Sequence, residues 1–97
     1  MRSVPSDRVV ELNVFITSLV KTIVDHPESV SVHVIPTSHR IIVELHTDAS
    51  DVGQVVGSGG RVVSAVRTLL GAYGGKHRFK VDLDYVTEKN NLAPFRD

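Results

Sequence analysis

Val52-Gly53-Gln54-Val55-Val56-Gly57-Ser58-Gly59-Gly60-Arg61-Val62-Val63-Ser64-Ala65-Val66 decides how this chain folds. Val52, Val55 and Val56 share one helical face, and Val62, Val63, Val66, Leu69 and Leu70 resume the same three- and four-residue spacing beyond the glycines. Two helices therefore meet at a glycine turn. The first is short, covering 49–56 with Asp48 as N-cap and Asp51 in its first turn. The second is expected over 61–73, with Gly74-Gly75 as a left-handed stop. A simple connection between helices needs one left-handed residue, not three glycines in four positions. Residues without a Cβ let another chain approach closely, and the helix starting near Arg61 offers free N–H groups and about half a positive charge. Such a turn can receive phosphate.

Toward the N-terminus, Val9, Leu12, Ile16, Leu19, Val20 and Ile23 form the stripe of an amphipathic helix over 7–25, which Pro27 stops. Val10, Val14, Phe15 and Val24 lie off that stripe, more apolar circumference than one core face requires. Val30, Val32 and Val34 alternate with Ser31, His33 and Ile35, and Ile41, Val43 and Leu45 alternate with Ile42, Glu44 and His46. These are two strands joined by Pro36-Thr37-Ser38-His39, close enough to pair as a hairpin. Beyond the glycine-linked helices, Phe79, Val81, Leu83 and Tyr85 alternate with Arg78, Lys80, Asp82 and Asp84 as a third strand. The order α-β-β-α-α-β predicts an α+β two-layer domain over 6–87, three helices packed on one face of a three-stranded sheet, with a polar tail over 88–97.

Composition bounds the rest. The chain has 97 residues, 41% of them hydrophobic, enough for one modest core. Eleven basic residues balance eleven acidic ones, so any electrostatic function must come from uneven placement. There is no Cys, hence no disulfide framework, thiolate metal site or thiol nucleophile. Residues 1–7 lack the apolar stretch of a signal peptide and no run reaches membrane-span length, so a cytoplasmic protein without membrane contact is expected. The charge is indeed uneven. Residues 54–80 hold Arg61, Arg67, Lys76, Arg78 and Lys80, plus His77, and no acid. This predicts a positive field around the glycine turn and the approach to the last strand. Charge and glycine alone leave two readings open: a polyanion-binding surface, or a solvated face beside a sharp corner.

The register Val52-Gly53-x-x-Val56-Gly57-x-x-Gly60-x-x-Val63-x-x-Val66 resembles the core signature of the KH domain, with Gly57-Ser58-Gly59-Gly60 as its GXXG loop. The element order resembles the type II topology. Together with the segments 24–32 and 61–70, the chain is similar to the small bacterial single-KH RNA-binding proteins of the KhpA/YlqC-like group over about 9–86. That resemblance implies a non-catalytic protein that holds about four nucleotides of single-stranded RNA. It places Gly57, Ser58, Gly59 and Gly60 against the sugar-phosphate chain and Arg61 beside a phosphate. Val52, Val56 and Val63, with Ile42 or Val43, would line the base groove, and Arg67, Lys76, Arg78 and Lys80 would add long-range attraction. Members usually carry a basic residue inside the loop; Ser58 and Gly59 stand there here. Each lost contact removes about 0.7 from the slope of log affinity against log salt, so weak, moderately salt-sensitive binding is expected. The resemblance also implies homodimers, or complexes with a second KH-containing protein of the KhpB/Jag type. The role it implies is that of an RNA chaperone or post-transcriptional regulator linked to cell elongation and division. The contrasting reading is a KH-fold protein-interaction module with weak or no RNA binding.

Other chemistries lack their residues. No Lys-Ser or Lys-Thr follows the glycines as in a Walker loop, and Ser58 has no strand-to-helix elbow with His and acid partners. His26, His33, His39, His46 and His77 include no pair spaced for zinc on one helix and read as surface residues. Asp82 and Asp84 alternate with an apolar set as solvent-facing residues do. No enzyme activity, cofactor or metal is expected. Phe15, Phe79 and Tyr85 sit on helix or strand faces and form no aromatic platform for bases.

Overall fold

The computed structural model describes residues 3–87; the tail expected over 88–97 lies outside them. Helix α1 spans Ser6–Ile23, strands β1 and β2 span Ser31–Pro36 and Arg40–His46, helices α2 and α3 span Val52–Val56 and Arg61–His77, and strand β3 spans Lys80–Val86. Single 3₁₀ turns at Pro27–Ser29, Ala49–Asp51 and Ser58–Gly60 join these elements. Among the described residues no helix is long and apolar enough to cross a membrane.

The hairpin forms where Thr37 can close it. Its amide and hydroxyl both donate to the Arg40 carbonyl at 2.8 Å, and its Oγ1 accepts the Arg40 amide at 3.0 Å. β1 and β2 pair antiparallel, β2 and β3 pair parallel, and the sheet order is β1-β2-β3. A parallel pair needs a crossover, which α2 and α3 supply. Register places Leu45 between Val32 and Tyr85, and Val43 between Val34 and Leu83. Because side chains alternate, this set forms the inner face and His33, Ile35, Ile42, Glu44, His46, Asp82 and Asp84 form the outer one. There Arg40 donates to Asp82 at 2.9 Å, while His33 and His46 come together beside Glu44 although they are far apart along the chain.

Leu12, Ile16 and Val20 of α1 and Val63, Val66 and Leu70 of α3 are buried against the inner face with Val55 of α2, forming one core. The α1 stripe behaves as its spacing predicts, with the end of the helix a correction: it stops at Ile23, not at 25. Val24 belongs to the core, since α1 ends at Ile23 and the extended backbone that follows turns Val24 inward. Asn13 pins α1 to β1 by donating to the Val32 carbonyl at 2.8 Å.

A second correction concerns the end of α3. The helix does not stop at Gly74-Gly75 but continues to His77, and the left-handed residue is Arg78 (φ 64°, ψ 39°). Gly74 serves a different purpose. It is buried in helical backbone, and a Cβ there would collide with the Phe79 carbonyl oxygen as the chain doubles back toward β3. The Phe79 amide donates to the Gly74 carbonyl at 2.9 Å across this contact. Close approach, not a positive φ, demands the glycine.

Candidate nucleic-acid interface

α2 ends as the Gly57 amide donates to the Gly53 carbonyl at 2.9 Å. Gly57 then takes φ 78°, ψ 170°, Gly59 φ 63°, ψ 20°, and Gly60 φ 78°, ψ 15°. All three glycines thus sit in backbone conformations that favour glycine, so conformation accounts for the surplus glycines that the sequence reading assigned to close approach of another chain. The turn is nevertheless open. A Cβ on Gly59 or Gly60 would meet nothing within 4 Å, and Ser58 and Gly59 are exposed. The amides of Gly57, Gly60 and Arg61 bond to the carbonyls of Gly53, Gly57 and Ser58, leaving Ser58 and Gly59 as the residues of the turn whose amides those bonds do not use. Gly60 caps α3 without a side-chain hydrogen bond, and Arg61, exposed, opens the helix. The positive end of the α3 dipole, an exposed guanidinium and open glycine backbone therefore share one corner.

A hidden carboxylate holds this corner in place. Asp51, only 1% exposed, accepts the amides of Asp25 at 3.2 Å and His26 at 3.0 Å. It ties the start of α2 to the segment leaving α1. Asp48, with its Oδ1 accepting both the amide and the hydroxyl of Ser50, caps the preceding turn, and those bonds lower its carboxyl pKa. The sequence marks Asp51 only as a first-turn acid; no local signal distinguishes a buried carboxylate from a solvated one.

The apolar residues expected beside the turn separate. Val52 and Val56 are half-buried and flank it, whereas Val63 (7% exposed) and Val43 (0%) belong to the core. Ile42 lies on the outer face of the sheet, paired with Ile35 and Asp82 and away from the helices. Alternation forces this, because Ile41 and Val43 on either side both face inward. A different apolar depression of about 270 Å³ runs between α1 and α3, lined by Leu19, Ile23, Val62, Ala65, Val66 and Leu69 with Arg61 at its edge. The signal for it was Val62, Ala65 and Leu69, a second apolar stripe on α3.

The basic residues separate as well. The Arg67 guanidinium donates to the Leu83 carbonyl of β3 at 3.4 Å. Lys76, Arg78 and Lys80 are exposed at the far end of α3, a helix of 17 residues. That length is about 25 Å, well beyond the roughly 8 Å over which salt leaves exposed charges coupled. The positive field predicted around the glycine turn and the approach to the last strand is divided between those two places by the length of α3, and among the described residues Arg61 is the cation at the turn itself.

At the same far end, Tyr73 donates to Glu11 at 2.7 Å and Arg8 donates to the same oxygen at 2.8 Å, bracing α1 against α3. The two donors lower the Glu11 pKa, while burial and the Glu11 carboxylate push the Tyr73 hydroxyl up to about 12. Val10, Val14 and Phe15 of α1 are 59%, 57% and 41% exposed, so the surplus apolar surface read in this helix is left in water.

Comparison with known proteins bears on this arrangement. The family described as "KhpA/KhpB, KH domain" matches residues 13–84. "RNA-binding protein KhpA" of Chlamydia pneumoniae is 35% identical over 75 residues, covering 77% of this chain and 96% of that protein. The Borreliella burgdorferi protein of the same name is 41% identical over 66 residues (68% and 80%), and that of Listeria monocytogenes 38% over 71 residues (73% and 93%).

Proposed function

Because the chain belongs to the KhpA/KhpB KH-domain family, we propose that it binds single-stranded RNA at the Gly57–Arg61 corner without catalysing a reaction. The observation that carries this reading is the exposed glycine turn leading directly into the N-terminus of α3, with Arg61 as its first residue. Phosphates approach over Ser58 and Gly59, Arg61 pairs with one of them, and bases rest on Val52 and Val56. The contact covers about four nucleotides. Arg67, Lys76, Arg78 and Lys80 contribute screened attraction, and Val63, Ile42 and Val43 shape the fold around the site. With one guanidinium at the turn, log affinity falls against log salt with a slope of about −0.7.

So small a footprint holds RNA weakly. A second RNA-binding site on the same strand raises effective concentration without new contacts. The family resemblance implies that this site comes from a homodimer or from a second KH-containing protein of the KhpB/Jag type, and that the role is a cytoplasmic RNA chaperone or post-transcriptional regulator, including of cell elongation and division. The apolar exposure of Val10, Val14 and Phe15 favours a protein-contact function of α1 alongside this one.

The test is fluorescence anisotropy of a short labelled single-stranded RNA with the wild type and the Ser58→Asp, Gly59→Asp variant. Asp tolerates the positive φ of Gly59, and circular dichroism verifies folding. Salt-sensitive wild-type binding and its loss in the variant are expected. Equal binding by both proteins refutes the Gly57–Arg61 corner as the RNA path, and none by the wild type at high micromolar concentration refutes the RNA reading.

A further inference from the structure

The outer face of the sheet, opposite the glycine turn, carries a second constellation. Register sets His33 of β1 directly across from Glu44 of β2, and His46 follows two residues on, on the same face. The two imidazole rings meet edge to face at 5.6 Å, and His46 Nε2 lies 2.8 Å from Glu44 Oε1. One ligating atom from each of the three side chains falls within 4.8 Å of the other two. We propose that His33, Glu44 and His46 form a binding site for a borderline divalent transition ion, Zn²⁺ in the first instance.

The donor set specifies the ion. Two imidazole nitrogens and one carboxylate oxygen match zinc and its neighbours in the first transition row, whereas Mg²⁺ and Ca²⁺ favour all-oxygen shells. Tetrahedral bonds of about 2.0–2.1 Å space the ligands roughly 3.3 Å apart, so the widest separation closes by about 1.5 Å. His33 is exposed and Glu44 and His46 are half-exposed, so side-chain rotation achieves this without moving the sheet. Asp84 stands beside Glu44 across the β2–β3 pair and adds negative potential. Ser31 Oγ, 3.1 Å from His33 Nε2, can reorient that ring. Water completes the shell. The ion bridges β1, which pairs with β2 alone, to the centre of the sheet.

Titration of tag-free full-length protein with Zn²⁺ against a chromophoric zinc indicator tests the site. One ion per chain is expected, with affinity at least tenfold lower in His33→Ala and in His46→Ala, unchanged in His39→Ala, and unaffected by excess Mg²⁺. In wild-type protein, the ring-nitrogen resonances of His33 and His46 shift on Zn²⁺ addition while those of His26, His39 and His77 stay in place, a readout that needs no variant. Absence of saturable Zn²⁺ binding, binding that survives loss of both histidines, or ring shifts confined to other histidines overturns the assignment.

Discussion

Gly57 and Val62 stand too close to admit a side chain between them: a Cβ on Gly57 would lie 2.5 Å from Val62 Cγ2 and 2.9 Å from the Val62 amide nitrogen. Gly59 has the same sign of φ but open space around it. The two glycines therefore separate steric from conformational cost. Gly57→Ala is expected to destabilise by about 3 kcal/mol, combining strain and overpacking, and Gly59→Ala by about 1 kcal/mol from strain alone. Urea unfolding midpoints measure both, and equal losses contradict the assignment of Gly57 as the packed member of the turn.

Ser58 is the one position inside the loop where charge can be added freely, since its φ is not positive. Ser58→Arg places a guanidinium beside Arg61 without backbone strain. Stability is expected to stay within about 0.5 kcal/mol, and the salt slope for single-stranded RNA to steepen by about 0.7. Anisotropy titrations at several salt concentrations give the slope; one unchanged from wild type places the phosphate path elsewhere.

What could be read from the sequence was whatever a local pattern determines. Alternation of Val81, Leu83 and Tyr85 marks β3, and the valines around Gly57 mark a helix pair on a glycine turn. The same alternation also contained the answer for Ile42, because with Ile41 and Val43 inward it has only the outer face available. Gly74 looked like a helix stop because glycine pairs usually mark one, whereas here Arg78 takes the left-handed conformation and the turn it makes brings the Phe79 carbonyl, five residues on, against Gly74. The separation of Lys76 from Arg61 was legible, since a helix over 61–73 already spans about 20 Å. The meeting of His33 with His46 depends on strand register, which is not encoded in a window of neighbouring residues.

Asp51 tests whether the corner is held from within. Asp51→Ala removes the charged acceptor of the partly buried amides of Asp25 and His26, at about 1.5 kcal/mol for each bond. A total loss near 3 kcal/mol is expected, and a smaller one for Asp51→Asn, which keeps one oxygen. Amide exchange should quicken at Asp25 and His26 in both variants. Protection unchanged from wild type removes Asp51 as the link between α1 and α2.

Arg78 opposes stability to charge. It is the one non-glycine among the described residues with positive φ, where an L side chain costs about 1–2 kcal/mol. Arg78→Gly relieves that strain at the end of α3 while removing a cation about 25 Å from the turn. A gain of up to about 1 kcal/mol is expected, with little change in RNA affinity at physiological salt. A large affinity loss would instead show that bound RNA follows α3 along its whole length.

Tyr73 couples both ends of the pH profile through one hydrogen bond. Burial and Glu11 raise its hydroxyl from 10.0 to about 12, so the unfolded chain ionises first and stability declines as pH rises from 10 toward 12. Its bond, followed by that of Arg8, lowers the Glu11 carboxyl below 4.5, a contribution present above that value and lost as pH falls through the folded pKa. Asp48, lowered below 3.8 by Ser50, adds to the same acid limb. His77, lowered below 6.5 chiefly by burial, resists protonation in the fold, so its loss begins as pH falls below 6.5. Tyr73→Phe removes the alkaline contribution of Tyr73 and relaxes Glu11 toward its ordinary value, shrinking the acid limb with it. Tyr85, also raised by burial, keeps part of the alkaline decline. Urea midpoints across the pH range should therefore lie on a flatter curve for Tyr73→Phe at both extremes. If only the alkaline side flattens, Arg8 alone holds the Glu11 carboxylate and the α1–α3 brace does not pass through Tyr73.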